Sequence, residues 1–171
     1  LAGVAANSEF RNCDITVNVI SDVVHNTQRA SCGGIVGKSN AGVVISGCKV
    51  DGGVINNKGK YTGGMIGGES GGEVSVTGCV VTATVRGELE RVGGIIGHFQ
   101  GGALSECEFR GNLSSASNQV GGIAGISGGV ASIKSCMVSG EVEGVENCGG
   151  IIGKNENTLT VEDCLFSGKL K

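Results

Sequence analysis

The residues of this sequence with the widest chemical reach are its eight cysteines, and six of them recur with a period. Cys13, Cys48, Cys79, Cys107, Cys136 and Cys164 each follow the same kind of segment, whereas Cys32 and Cys148 each stand immediately before a Gly-Gly pair. No C-x-x-C occurs, so zinc and thiol-redox chemistry lack their ligand spacing. A disulfide framework is one use of eight cysteines in a secreted chain. Periodic thiols stacked along one axis, however, present parallel side-chain vectors with a poor disulfide geometry. The six-membered set is therefore read as a ladder of reduced core thiols, small and easily buried. Cys32 and Cys148 lie about four repeats apart and cannot bridge each other.

The other reactive side chains do not assemble a catalytic pattern. Aspartate is confined to Asp14, Asp22, Asp51 and Asp163. The pairs Glu88/Glu90, Glu106/Glu108 and Glu141/Glu143 have the alternate spacing of a solvated strand face rather than that of converging acid and base groups. His25 and His98 fall in connections and read as solvent-exposed loop residues without a role. The run Gly67-Gly68-Glu69-Ser70-Gly71-Gly72 superficially resembles a phosphate loop, but no Lys-Ser/Thr follows and no helix begins there. It reads as repeat punctuation. The Gly-Gly-x-Gly-x-Asp pattern of calcium-binding solenoids is missing, and Thr82/Thr84 and Thr158/Thr160 are too isolated for an ice-binding array. The expectation is no catalytic residue, no metal site and no cofactor.

What must position these residues is a repeat. The block Gly33-Gly34-Ile35-Val36-Gly37 returns at Gly63, Gly93, Gly121 and Gly149, in steps of 28 to 30 residues, with one ladder cysteine after each block. Leu1-Ala2-Gly3 and Cys13 are the remnant of a sixth copy. Relative to the cysteine, position minus three holds Phe10, Ile45, Val76, Leu104, Ile133 and Val161. Position plus two holds Ile15, Val50, Val81, Phe109, Val138 and Phe166. Position plus six holds Val19, Val54, Val85, Leu113, Val142 and Leu170. Steps of two place residues on one strand face. The odd step from minus three to the cysteine, through turn-forming residues, marks a corner. Each repeat reads as three short strands and three corners, one coil of a parallel β-helix. The chain is then an all-β, single-domain β-solenoid of about six coils, with approximate bounds 1–32, 33–62, 63–92, 93–120, 121–148 and 149–171. It would form a right-handed rod on the order of 29 Å long. With 34 Gly, no Pro, no Trp, one Tyr and four Phe, the interior must be filled by Val, Ile, Leu, Ala and Cys. If Ile35, Met65, Ile95, Ile123 and Ile151 face that core, strand alternation turns Val36, Ile66, Ile96, Ala124 and Ile152 outward, either as an exposed apolar stripe or as one covered by a local twist or the preceding connection.

The GGIIG block followed by a strand and an NC- or GC-like corner with Cys-x-apolar resembles the GLUG motif. That motif occurs in repeats of large bacterial surface and secreted proteins, including the repeat regions of some immunoglobulin A peptidases. The resemblance implies a non-catalytic structural or adhesive module at the cell surface or secreted, acting as a rigid stalk or a scaffold for a host protein or glycan. The alternative is the repeat region of a surface peptidase or glycan-active enzyme whose catalytic domain lies outside the fragment. A net charge of −3 with interspersed signs leaves no footprint for nucleic acid, and no apolar run is long enough for membrane insertion. Loops carry binding residues on rigid scaffolds. The long connection after Ile20, with Asp22, His25, Asn26, Gln28 and Arg29, is the binding candidate. Partial coils at both termini, without polar caps, predict end-to-end self-association.

Overall fold

The computed structural model describes residues 1–16, 18–22, 30–69 and 71–171. Among them every regular element is a strand, and no helix is long and apolar enough to cross a membrane. The strands stack in parallel into five sheets, four of six strands and one of five, which makes a β-solenoid of five complete turns and a sixth of four strands. One turn comprises Val36–Ser39, Val43–Ser46, Lys49–Asp51, Val54–Asn57 and Tyr61–Gly63, contributing in that order to the first through the fifth sheet. Each coil thus carries five short strands, where the sequence suggested three. The difference arises because the segment after the cysteine bends again before position plus six, and the Gly-Gly pair separates two strands instead of lying inside one.

The corner before the cysteine has one backbone solution in all six copies. Asn12, Gly47, Gly78, Glu106, Ser135 and Asp163 all sit at φ between 51° and 61°. The left-handed region is open to glycine and tolerable for Asn and Asp, but it costs other L-residues on the order of 1 kcal/mol. That conformation turns the following cysteine into the core, where Cys48, Cys79, Cys107 and Cys136 are at most 1% exposed and Cys13 and Cys164 are half-buried. All eight cysteines are free thiols. The column is also hydrogen-bonded along the axis. The backbone N–H of Cys13 donates to the Cys48 sulfur (3.3 Å), and those of Cys48 and Cys136 donate to the sulfurs of Cys79 and Cys164 (3.4 Å each). Each sulfur in turn meets the carbonyl two residues earlier, as Cys107 does with Ser105 at 3.2 Å. The thiol therefore supplies a polar partner to the corner amide that Val or Ala at the same position would leave bare.

The inward columns at minus three and plus two stack rung on rung. At plus six the second coil departs from the expected column. Val85 and Val19 pair with Ile55, not Val54, and Ile55 is the buried residue. One extra residue is absorbed there by Gly52 and Gly53, both at positive φ.

The anticipated apolar stripe is not exposed. Val36, Ile66, Ile96 and Ala124 are fully buried, as are Ile35, Met65, Ile95 and Ile123. The chain bends at the second glycine and the residue after it, so the two central apolar residues flank a corner and both turn inward. After the bend the first sheet runs back along the fifth, and glycine lets their backbones touch. A Cβ on Gly63 would stand 1.9 Å from the carbonyl oxygen of Ile66, and one on Gly67 would stand 2.4 Å from the backbone nitrogen of Cys32. The three glycines of the block are thus required by a two-layered lobe in which the first and fifth sheets have no side chains between them.

Candidate binding cleft

The lobe opens where this close packing ends. Along the first sheet one column runs Val4, Lys38, Gly68, His98, Ile126 and Lys154, and Gly68 is its only member without a side chain. Opposite it on the fifth sheet Tyr61 pairs with Ser31 of the preceding turn. Gly68 admits the Tyr61 ring, whose Cβ and Cγ would stand 3.1 Å from any Cβ placed on that glycine. A small Ser31 beside a bare Gly68 leaves a cleft of about 220 Å³, lined further by Lys38, Glu69, His98 and Gln100.

The tyrosine is held from three sides. Its ring stacks on His98 with centroids 5.2 Å apart and planes at 17°. The Arg91 guanidinium lies 5.3 Å from the ring centroid, and its Nη1 donates to the phenol oxygen at 3.3 Å. Below it, fully buried Asn57 donates from Nδ2 to the carbonyls of Ala30 and Tyr61 and to Oγ1 of Thr62, and its Oδ1 accepts from the N–H of Gly59. Arg91 belongs to the coil after that of Tyr61, and His98 to the coil after that one. Ser31 precedes the tyrosine in its column, and both residues line the cleft.

Two titratable groups are buried at this site. Glu69 is 4% exposed; its Oε1 accepts from the N–H of Gly101 at 2.7 Å, and its Oε2 has no partner among the described residues. Burial pushes its carboxyl up to about 8, an effect only partly offset by the Gly101 hydrogen bond. The group is a neutral acid at pH 7, offering an O–H donor as well as acceptors. His98 is 8% exposed, and burial, followed by the nearby Arg91 cation, pulls it down to about 4. Its ring is neutral, with Nε2 accepting from the Gln100 amide at 2.6 Å. The Ser31 hydroxyl is buried and has no partner among the described residues. Lys38 is half-buried and has no ion pair among the described residues. The cleft thus combines an aromatic ring, neutral donors and acceptors, and one unpaired cation.

Among the residues expected to bind, Asp22 forms an ion pair with Lys58 at 3.2 Å on the surface and does not reach this cleft. His25, Asn26, Gln28 and Arg29 lie outside the described residues. His98, read from sequence as an exposed connection residue, is instead a buried member of the strand Ile96–Phe99. There its ring is packed against Tyr61 and removed from water. Glu69 was hidden in a glycine-rich run that reads as punctuation. The signal available in the sequence was departure within a column: one Glu among Ala5, Ser39, Phe99, Ser127 and Asn155, and one Gly among Lys38 and His98. No second carboxylate lines the cleft, so the paired acids of glycoside hydrolysis are not assembled there. Among the described residues no three His, Cys, Asp or Glu side chains gather as metal ligands. No protein-family model matches this sequence, and no curated protein is significantly similar to it.

Proposed function

We propose that this chain is a non-catalytic scaffold module of a cell-surface or secreted protein: a rigid β-solenoid that spaces neighbouring segments and presents a lateral binding site. The observation that supports this reading most is the unbroken stacking of all five sheets, in which each coil buries its apolar columns against the next. The cleft at the edge of the lobe gathers polar groups that suit recognition: a neutral acid, a neutral imidazole and an amide around an aromatic ring. The GLUG-like repeat pattern supports the same assignment, because repeats of that kind belong to surface and secreted proteins.

The test pairs a binding screen with an activity screen on the purified chain. Retention on a glycan or extracellular-protein array, with no turnover of glycoside, ester or peptide substrates, is the expected outcome. Turnover that disappears in Glu69→Gln would show that the cleft is an active site and would overturn the scaffold reading.

A further inference from the structure

We propose that the cleft between Lys38, Gly68 and Tyr61 is a subsite for one acidic sugar residue of the hexuronate class, a pyranose ring that carries a carboxylate. The inference rests on the scaffold reading above and adds to it the chemical class of the ligand.

Three observations converge on that class. The first is shape: a cleft of about 220 Å³ lined by a tyrosine that His98 and Arg91 hold in place has room for one pyranose unit beside that side chain. An aromatic face against sugar C–H groups, with polar groups at its rim, is the usual division of labour in a small-ligand site. The second is unmet hydrogen bonding. The Oε2 of Glu69, a residue 4% exposed, and the Ser31 hydroxyl are both buried and lack partners among the described residues. Buried polar atoms without partners are costly and are explained where a ligand completes them. Because the carboxyl of Glu69 is held protonated, it can both donate and accept, as sugar hydroxyls require. The third is charge. Lys38 is the basic side chain in the lining, and it has no counter-ion among the described residues. A neutral hexose would leave that ammonium unpaired and an amino sugar would be repelled, whereas a carboxylate forms a charge-assisted hydrogen bond with it. Inorganic phosphate would meet the cation but leave the ring face and the carboxyl unused.

The experiment is a ¹⁵N–¹H titration of the chain with sodium glucuronate and sodium galacturonate, with glucose and glucosamine as comparators. A single sugar with few anchoring groups is expected to bind with a Kd on the order of 1 mM. Shifts should centre on Lys38, Tyr61, Glu69, His98 and Gln100. Glucose should bind about tenfold more weakly, and Lys38→Ala should abolish the preference for the acid while leaving the dispersed spectrum of a folded chain. Gly68→Val, which fills the cleft, should abolish binding of every sugar; if that variant unfolds, the Lys38→Ala comparison still decides. No response to either uronate at about 20 mM, twenty times the expected Kd, would overturn the proposal. So would equal affinities for uronate and glucose, or shifts confined to another face. A parallel sample with an oligogalacturonide distinguishes the two readings. New reducing-end anomeric signals accumulating over a day in its ¹H spectrum would mean cleavage of a glycosidic bond and would refute the scaffold reading, whereas a folded, inert chain that ignores uronates would refute only the ligand class.

Discussion

Replacing Glu69 by Gln should alter how stability depends on pH, and the size of the change follows from the cleft. In the unfolded chain this carboxyl titrates near 4.5; in the fold burial raises it to about 8. A raised carboxyl means that the folded state holds a proton the unfolded state has lost, so stability falls as pH rises from 4.5 to 8 and is flat outside that window. At 1.36 kcal/mol per pKa unit the whole window amounts to roughly 5 kcal/mol. His98 acts in the opposite sense. Its pKa drops from 6.5 to about 4, so the unfolded state holds the extra proton and stability rises with pH between 4 and 6.5, by roughly 3 kcal/mol in total. Between 4.5 and 6.5 the two slopes cancel. Above 6.5 only Glu69 acts, and the chain should lose roughly 2 kcal/mol between pH 6.5 and 8.

Glu69→Gln keeps an acceptor for the Gly101 N–H and removes the titration. Urea unfolding followed by far-UV circular dichroism at pH 5.5, 7 and 8.5 should show the wild type weakening above pH 6.5, whereas the variant, left with the His98 titration alone, gains roughly 1 kcal/mol between pH 5.5 and 6.5 and holds level above that. Because a repeat array can unfold in more than one step, a direct ¹³C titration of the Glu69 carboxyl should accompany it. A carboxyl midpoint near 4.5, or a wild type that gains stability from pH 6.5 to 8, would refute the burial argument.

Three further outcomes follow from the same coordinates. With a maleimide at pH 7 the half-buried Cys13, Cys148 and Cys164 should react first, while Cys48, Cys79, Cys107, Cys136 and Cys32 wait for unfolding; rapid native labelling of six or more thiols would contradict the buried column. Cys32 is doubly protected, since burial pushes its thiol up to about 11 and depletes the reactive thiolate. Glu106→Gly should stabilise the chain by about 0.5–1 kcal/mol in chemical denaturation, because an exposed Glu at φ 55° gives way to the residue that pattern prefers; a loss of stability would count against corner strain. Gly94→Ala should cost about 3 kcal/mol or more, or prevent folding, since its Cβ would stand 2.1 Å from the Gly122 carbonyl oxygen and 2.5 Å from the buried Phe109 ring; a soluble variant of unchanged stability would argue against the close lobe.

Much of the architecture was readable from the chain alone, because a solenoid writes its axis into its period. Comparing copies aligned Phe10 with Ile45 and Ile15 with Val50, and those pairs are neighbours in the sheets. The corner before each cysteine was legible for the same reason: Asn12, Gly47 and Asp163 are residue types that accept the left-handed region their position demands. Tertiary structure decided what faces what across the coil. Nothing in the period says that the Gly-Gly pair folds the first sheet back on the fifth, so the sequence exposed Val36 and Ile66, which the lobe buries. The cleft was hidden by the same gap. Its ring, its acid and its imidazole come from different coils and from both layers, and each is a single departure from its column. A periodic pattern reveals what repeats, through contacts between equivalent residues one turn apart. A site made of exceptions is defined by contacts between non-equivalent residues, and those exist only once the layers have packed.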